Sequence, residues 1–423
     1  MSQSTAQPVP QSVNSAEDIL IVGAGPAGAT TALFLAKSGI PHTLIDRATF
    51  PRDKADGNVY GSKVIEVLDR LNLDYFPELM AQADQRLGLR TMQVFTPDGG
   101  QLNLGFPDSE PSAQATSIAA EIPSFTMNRR NFDHFLVKKL NLHYTQARFG
   151  TSIEIVERQS DRWSVVMSDQ NGVQQLSPRL VVVADGVNST VLQRLGCQPT
   201  EERWYDSVQG YFRGVTGFER DAQQAASITA PFHVESHFLS ESNPGFFFVV
   251  PLPQGVFNVG VGLPRQLVKE NHVNLPDLLH TLIQSYFAER FADAQAISDL
   301  RSWPLVVGTP DQTPVSGAGY LVTGDAAGLC NPLTCFGTGN AMISGMLAAA
   351  QVHRSLEQQQ FDASTLKAYD QALYDRLHEE FRYSSWVKRF TQKDWIFNLV
   401  TNPSVKSLLR QGLRGTATML KRL

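Results

Sequence analysis

The sequence predicts an α/β chain with a parallel strand–helix–strand core, an inserted β-sheet domain and a C-terminal helical region. Three observations predict it. Residues 18–46 read as buried strand, glycine-rich turn, helix and second strand; residues 200–300 are mostly short apolar or alternating strands; and residues 361–423 carry helical periodicity.

The first strand is Asp18–Val22, and the helix after it runs from Pro26 to Ser38, where Gly39 and Pro41 end it before the strand His42–Asp46. Two strands in line with a helix between them make a parallel unit. A second helix is expected over Ser62–Leu73, with Val64, Leu68 and Leu71 on one face. Residues 88–122 turn to Gly, Pro, Ser and Thr with short strands such as Thr91–Phe95, and Phe132–Leu140 returns to helix. The strands Ile153–Glu157, Trp163–Met167 and Leu180–Ala184 follow. The β-rich stretch holds Gly245–Pro251, Val256–Leu263 and one helix over Leu275–Phe291. From Tyr320 a strand, a glycine-rich turn and a helix to Leu356 repeat the opening pattern.

A length of 423 residues exceeds one ordinary hydrophobic core, so two domains are expected. With 42% hydrophobic and 18% charged residues the composition is that of a folded globular chain, and a net charge of -5 gives no reason to expect nucleic acid as a partner. Cys197, Cys330 and Cys335 are an odd set in a large chain, which suits a reducing compartment. The C-x4-C spacing of Cys330 and Cys335 has no second pair, so no zinc or other metal site is expected. Residues 1–17, rich in Ser, Gln and Pro, read as a disordered leader, and no apolar run approaches the roughly 20 residues of a membrane span. The expected location is cytoplasmic.

Gly23-Ala24-Gly25-Pro26-Ala27-Gly28 is a G-x-G-x-x-G set between strand and helix, with the acidic Asp46, followed by Arg47, closing the next strand. Gly23 permits the tight turn, Gly25 lets the backbone approach a pyrophosphate, and Gly28 lets helix and strand pack closely. The helix N-terminus faces the phosphates, and Asp46 can accept ribose hydroxyls. This is a Rossmann-type dinucleotide site; Pro26, Ala27 and Arg47 belong to the same candidate set. An ordinary glycine turn with a surface Asp is the plain alternative.

Two later segments favour FAD over a nicotinamide nucleotide as the resident cofactor. Leu180–Ala184 is a buried strand ending in Asp185-Gly186, and Tyr320–Thr323 is a strand ending in Gly324-Asp325. A carboxylate at a strand end can take a ribityl hydroxyl. Gly337-Thr338-Gly339 opens a helix whose N–H groups and dipole can face the flavin N1/O2 edge, where reduction builds negative charge.

These segments, in this order and at these separations, resemble the para-hydroxybenzoate-hydroxylase-like flavoproteins, and within them the geranylgeranyl reductase family. The stretches Phe50–Gly57, Arg129–Asp133, Pro244–Pro251 and Gly324–Pro332 carry the likeness, which spans about 18–355. The resemblance implies that Gly23, Gly25, Gly28 and Asp46 hold the ADP half, Arg129 lies along the cofactor, Asp325 holds the ribityl chain, and Pro332 through Gly339 border the isoalloxazine. It implies that Asp185 serves near FAD and its NAD(P)H donor. The expected fold class is thus a Rossmann-type FAD-binding domain (18–88, 119–199 and 302–355) with an inserted β-sheet substrate domain (89–118 and 200–301) and C-terminal helices (356–423). For Arg129 the alternative is a solvated arginine at a helix start. The chain departs from the family in three places. Asp56 stands where the family often has a mechanistic cysteine, so Asp56 is the catalytic candidate, or else a loop-capping residue. The strand Phe246–Pro251 lacks the family's Trp, and Leu192 replaces an arginine found after the Asp-Gly motif, with Arg194 two positions on.

The reaction expected from the resemblance is hydride transfer from reduced flavin to a C=C bond of an apolar, isoprenoid or lipid-like substrate. Alternating Phe246, Phe248 and Val250 would present it with one apolar face, unless these side chains are simply core. The alternative on the same fold is an FAD-dependent monooxygenase or halogenase; the W-x-W-x-I-P halogenase signature is absent, and hydroxylation stays open. A non-catalytic FAD-binding protein is the third reading. Tyr60, His233 and His237 join Asp56 as proton-donor candidates on position or type. Residues 401–423 combine Lys406, Arg410, Arg414, Lys421 and Arg422 with apolar positions and no acidic residue, a candidate for peripheral contact with an anionic membrane.

Overall fold

The computed structural model describes residues 16–54, 57–82, 86–95, 101–105, 124–218, 232–239 and 245–391. Three sheets organise them. The first has six strands in the order Ser316–Gly317, Tyr320–Val322, Leu180–Val183, Ile19–Val22, His42–Asp46, Thr145–Phe149, all parallel except the first pairing. Its central strands, Ile-Leu-Ile-Val and Leu-Val-Val-Val, are buried throughout, as strands covered on both faces must be. The helix Pro26–Lys37 starts at the glycine turn and packs on the long helix Thr338–Gln358. Gly345 makes that approach possible: a Cβ there would stand 2.3 Å from the Ala27 carbonyl oxygen.

A small antiparallel sheet of Ser152–Gln159, Arg162–Asp169 and Gly172–Leu176 caps one side, anchored by the buried Trp163, whose indole N–H donates to the Gly319 carbonyl at 2.8 Å. The third sheet has ten strands, eight in its main path and two paired off it, and includes Trp204–Arg213, Val256–Pro264, Phe246–Leu252, Phe232–Phe238 and Arg86–Phe95. Its register settles what each face does. Val249 pairs with Val259 and Glu235, and Phe247 pairs with Val261 and His237. That face packs on Leu275, Leu279 and Leu282 of the helix Leu275–Ser285. Phe246, Phe248 and Val250 point the other way, sharing their face with Asn258, Gln209 and Ser207.

The helix expected over Leu275–Phe291 ends at Ser285. Tyr286, which continues the Leu275/Leu279/Leu282 face, is exposed, and Phe287 replaces it by stacking on Phe247 at 4.4 Å. Packing on the sheet has overridden the helical period there. The last described helix, Ala363–Thr391, crosses back over the parallel sheet, where Tyr369 donates to the Val322 carbonyl at 2.8 Å. Among the described residues no helix is long and apolar enough to cross a membrane. The 401–423 segment and residues 1–15 of the leader lie outside the described residues.

Candidate active site

The glycine turn is built by contacts that admit no side chain. Gly23 has φ +101°, and a Cβ on it would stand 2.3 Å from the Ala184 carbonyl oxygen; on Gly28 it would stand 1.8 Å from the Gly23 carbonyl oxygen. Gly25 differs, since a Cβ there meets only the Arg52 guanidinium at 3.6 Å. Two glycines are required by the fold, and the third has room for a methyl beside Arg52. Gly25 borders a cleft of about 800 Å3, as do Gly23, Asp46, Arg47 and Asp185. Pro26, Ala27 and Gly28 form the helix start beneath it.

Asp46 is fixed before any nucleotide arrives. Its Oδ2 accepts the Ala24 N–H at 2.7 Å and its Oδ1 the Ala48 N–H at 2.8 Å, tying the second strand to the turn. Asp185 accepts the Thr190 N–H through Oδ2 at 2.9 Å, while its Oδ1 is buried with no hydrogen-bond partner among the described residues. Burial raises its pKa above the usual carboxylate value, opposed by hydrogen bonds from Ser189 and the turn after it. Cations that motif reading did not single out also line the cleft: Arg52, Lys54 and Arg301. A cleft of this volume, closed by a helix N-terminus, with basic side chains and an unpaired buried oxygen, fits a long anionic dinucleotide.

Arg129 is not the solvated residue of the alternative reading: it is 2% exposed. It forms a two-pronged pair with Asp133 (3.0 and 3.1 Å), and Asp133 also meets the Arg52 guanidinium at 3.4 Å. Arg129 does not line the cleft; it holds the carboxylate that positions Arg52, which does. Its spacing within Arg129–Asp133 is an i,i+4 ion pair, and the intervening Phe132 is core.

Asp325 belongs to a second, smaller cavity of about 80 Å3, together with Phe246, Phe248 and Val250. Gly324 (φ +62°) brings this turn to the first one: a Cβ on it would lie 2.9 Å from the Ala27 methyl. Gly337 stands beside Asp325 and Cys330. The loop that follows closes on itself through Asn331, whose Oδ1 accepts the Leu333 and Thr334 N–H groups at 2.9 and 3.0 Å, with Pro332 buried between. Thr338 begins the long helix and Gly339 packs on Lys63. Lys54 Nζ meets Asp325 Oδ2 at 3.4 Å and lies 5.1 Å from the Trp303 ring centroid. Trp303 lines both cavities, so the two meet there.

Phe246 and Phe248 are half-buried because glycines make room beside them. A Cβ on Gly262 would strike the Phe246 ring at 2.7 Å, and on Gly260 the Phe248 ring at 2.5 Å. Cys335 also lines this cavity, and burial pushes its thiol up to about 11, with Lys388 pulling the other way. Three proton-donor candidates lie elsewhere. Tyr60 is core, packed on Phe125 and Phe132. His233 and His237 each bond Glu235 at 3.1 Å and sit with it on the helix-covered face. The register decides this, since Glu235 pairs with Val249 and His237 with Phe247, both packed under the helix. Asp56 lies outside the described residues. Among the described residues no group of His, Cys, Asp or Glu is gathered to hold a metal.

Fold and site together define a flavoprotein of the Rossmann type, with a dinucleotide cleft opening onto an apolar cavity. The chain belongs to the family described as FAD binding domain, matched over residues 16–376. It is 27% identical over 343 residues to menaquinone reductase of Mycobacterium tuberculosis, covering 80% of this chain and 77% of the relative. It is 27% identical over 378 residues to digeranylgeranylglycerophospholipid reductase 1 of Methanopyrus kandleri, covering 86% and 87%. Among solved structures, a geranylgeranyl bacteriochlorophyll reductase-like protein of Thermoplasma acidophilum matches with TM-score 0.75 at 19% identity, over 93% of this chain and 94% of that one. A flavin-dependent brominase matches with TM-score 0.71 at 18% identity, over 93% of each. The structural likenesses speak to the fold, which reductases and halogenases share. The chain is an FAD-dependent oxidoreductase, and its likeness to geranylgeranyl reductases extends from the motifs to whole-chain relatives.

Proposed function

We propose that the protein reduces a C=C bond of an apolar, isoprenoid or lipid-like substrate, with NAD(P)H as the electron donor. The observation that carries this reading is the junction at Trp303, where a polar cleft lined by cations meets a cavity faced by Phe246, Phe248 and Val250. Bound FAD supplies the hydride chemistry. The chain's residues do the rest. Gly23, Gly25 and Gly28 shape the turn at the helix N-terminus, and Asp46 and Arg47 flank the ADP half. Arg52, Lys54 and Arg301 offset phosphate charge. Asp325 takes ribityl hydroxyls, and the N-terminus of Thr338–Gln358, with Pro332, Gly337 and Gly339, borders the ring edge where negative charge grows. Asp185 stands near the cofactor and its donor. Phe246, Phe248 and Val250 exclude water and seat the hydrocarbon. Asp56 remains the catalytic candidate for proton delivery, on sequence alone.

The relatives named for reduction of menaquinone and of a geranylgeranyl lipid support an apolar substrate. Cytoplasmic location, with peripheral membrane contact through 401–423, belongs to the same proposal. The test is to mix protein, FAD and NADPH or NADH with polyprenyl substrates, anaerobically and in air. A saturated product formed without oxygen is expected. Turnover that needs oxygen and gives a hydroxylated or halogenated product would overturn the reading in favour of a monooxygenase or halogenase.

A further inference from the structure

Three amides meet beside the apolar cavity, and they are wired in one direction. Asn58, Gln209 and Asn258 are 1%, 7% and 1% exposed, and all three line it. Asn58 Nδ2 donates to the Met127 carbonyl at 3.2 Å, which turns its Oδ1 toward the sheet. Asn258 Nδ2 donates to that oxygen at 2.7 Å and to Gln209 Oε1 at 3.3 Å. A fixed backbone carbonyl thus sets the orientation of each amide in turn. Two atoms are left over: among the described residues Gln209 Nε2 and Asn258 Oδ1 have no hydrogen-bond partner. Buried amide groups without partners are costly, and one unpaired donor with one unpaired acceptor at a cavity wall is a complementary pair. Phe248 and Val250 surround it, through the register that sets Val250 against Asn258 and Gln209 against Gly260.

We propose that Gln209 and Asn258 form a subsite for a hydroxyl group on the otherwise apolar substrate, an inference that rests on the reductase reading. The hydroxyl oxygen accepts from Gln209 Nε2 and its proton goes to Asn258 Oδ1. An ether or ketone oxygen meets only the donor, and a hydrocarbon meets neither. Asn58 is a positioning residue, acting through Asn258.

The test is direct binding to oxidised holoprotein, with no electron donor, followed by flavin absorbance or tryptophan quenching. The probes are a polyprenyl alcohol, its methyl ether and the hydrocarbon of the same chain. The alcohol should bind about tenfold more tightly than the hydrocarbon, with the ether between. Gln209→Met should bring alcohol and ether close to the hydrocarbon while leaving hydrocarbon affinity and flavin content unchanged. A purely structural role would weaken all probes together and keep their ratio, which would overturn the proposal. Equal affinity of the wild type for all three probes would overturn it alone, leaving the reductase reading intact. Loss of FAD from Gln209→Met would assign the amides to the flavin and also overturn it. No binding of any probe would sink the apolar-substrate reading itself.

Discussion

Lys54 Nζ lies 3.4 Å from Asp325 Oδ2, joining residues 271 positions apart where the two cavities meet. The pair is mostly buried, and with FAD in place the Asp325 carboxylate is proposed to take ribityl hydroxyls. Asp325→Ala removes a charged acceptor, worth about 1.5–3 kcal/mol in such bonds, so FAD affinity should fall roughly 10- to 100-fold. Flavin titration followed by fluorescence reads this directly; unchanged affinity would remove Asp325 from the cofactor site.

The glycines of the first turn should separate fold from cofactor. Gly28→Ala places a methyl 1.8 Å from the Gly23 carbonyl oxygen, so this variant should lose stability whether or not FAD is added. Gly25→Ala meets only a side-chain guanidinium at 3.6 Å and should fold with an apoprotein melting temperature near wild type. It should lose most of the stabilisation that FAD gives wild type, because its methyl occupies the phosphate approach. Thermal melts with and without FAD make the comparison.

A similar contrast holds at the apolar face. The three atoms nearest a Cβ on Gly262 all belong to the Phe246 ring, whereas on Gly260 the Cβ also meets the Val208 carbonyl oxygen at 2.6 Å. Gly262→Ala should therefore fold, keep its flavin and displace Phe246, raising KM for an apolar substrate about tenfold. Gly260→Ala should disturb the strand pairing and lower the melting temperature as well.

His42 makes stability depend on pH. It is fully buried in the strand that ends at Asp46, bonded to the Ile40 carbonyl and Thr145, and burial lowers its pKa from 6.5 to about 4. The folded state keeps it neutral while the unfolded chain takes up a proton below 6.5. Its contribution is fully present above that value and is lost as pH falls toward about 4, a difference of about 3 kcal/mol. Urea unfolding of wild type and His42→Gln at about pH 7 and about pH 4 tests this. The wild type should lose more stability than the variant over that interval; parallel losses would show that another group titrates.

Much of this was legible in the sequence, for identifiable reasons. Gly23 to Gly28, Gly39 and Pro41 punctuate the chain locally, so the strand–helix–strand unit could be read almost to the residue. Alternation put Phe246, Phe248 and Val250 on one face, and the structure sets them together in a cavity. Partnerships between distant strands could not be read that way. Trp303 and Gln209 reach the cavity through pairing with neighbouring strands, and nothing local to either residue announces it. His233 and His237 show the same limit: whether a strand's odd or even positions face the cavity is decided by its neighbours. Arg129 was found by its motif, but its burial against Asp133 needed the helix to be seen.

The central claim is that reducing equivalents held in the cleft pass to an apolar alkene in the cavity. The most direct measurement is anaerobic: holoprotein reduced chemically, with no nicotinamide present, is mixed with a polyprenyl substrate while the flavin absorbance is followed and the product is weighed by mass spectrometry. Reoxidation of the flavin, with the product heavier by one molecule of hydrogen, is the result predicted. A flavin that stays reduced until air is admitted, then yields an oxygenated product, would contradict it.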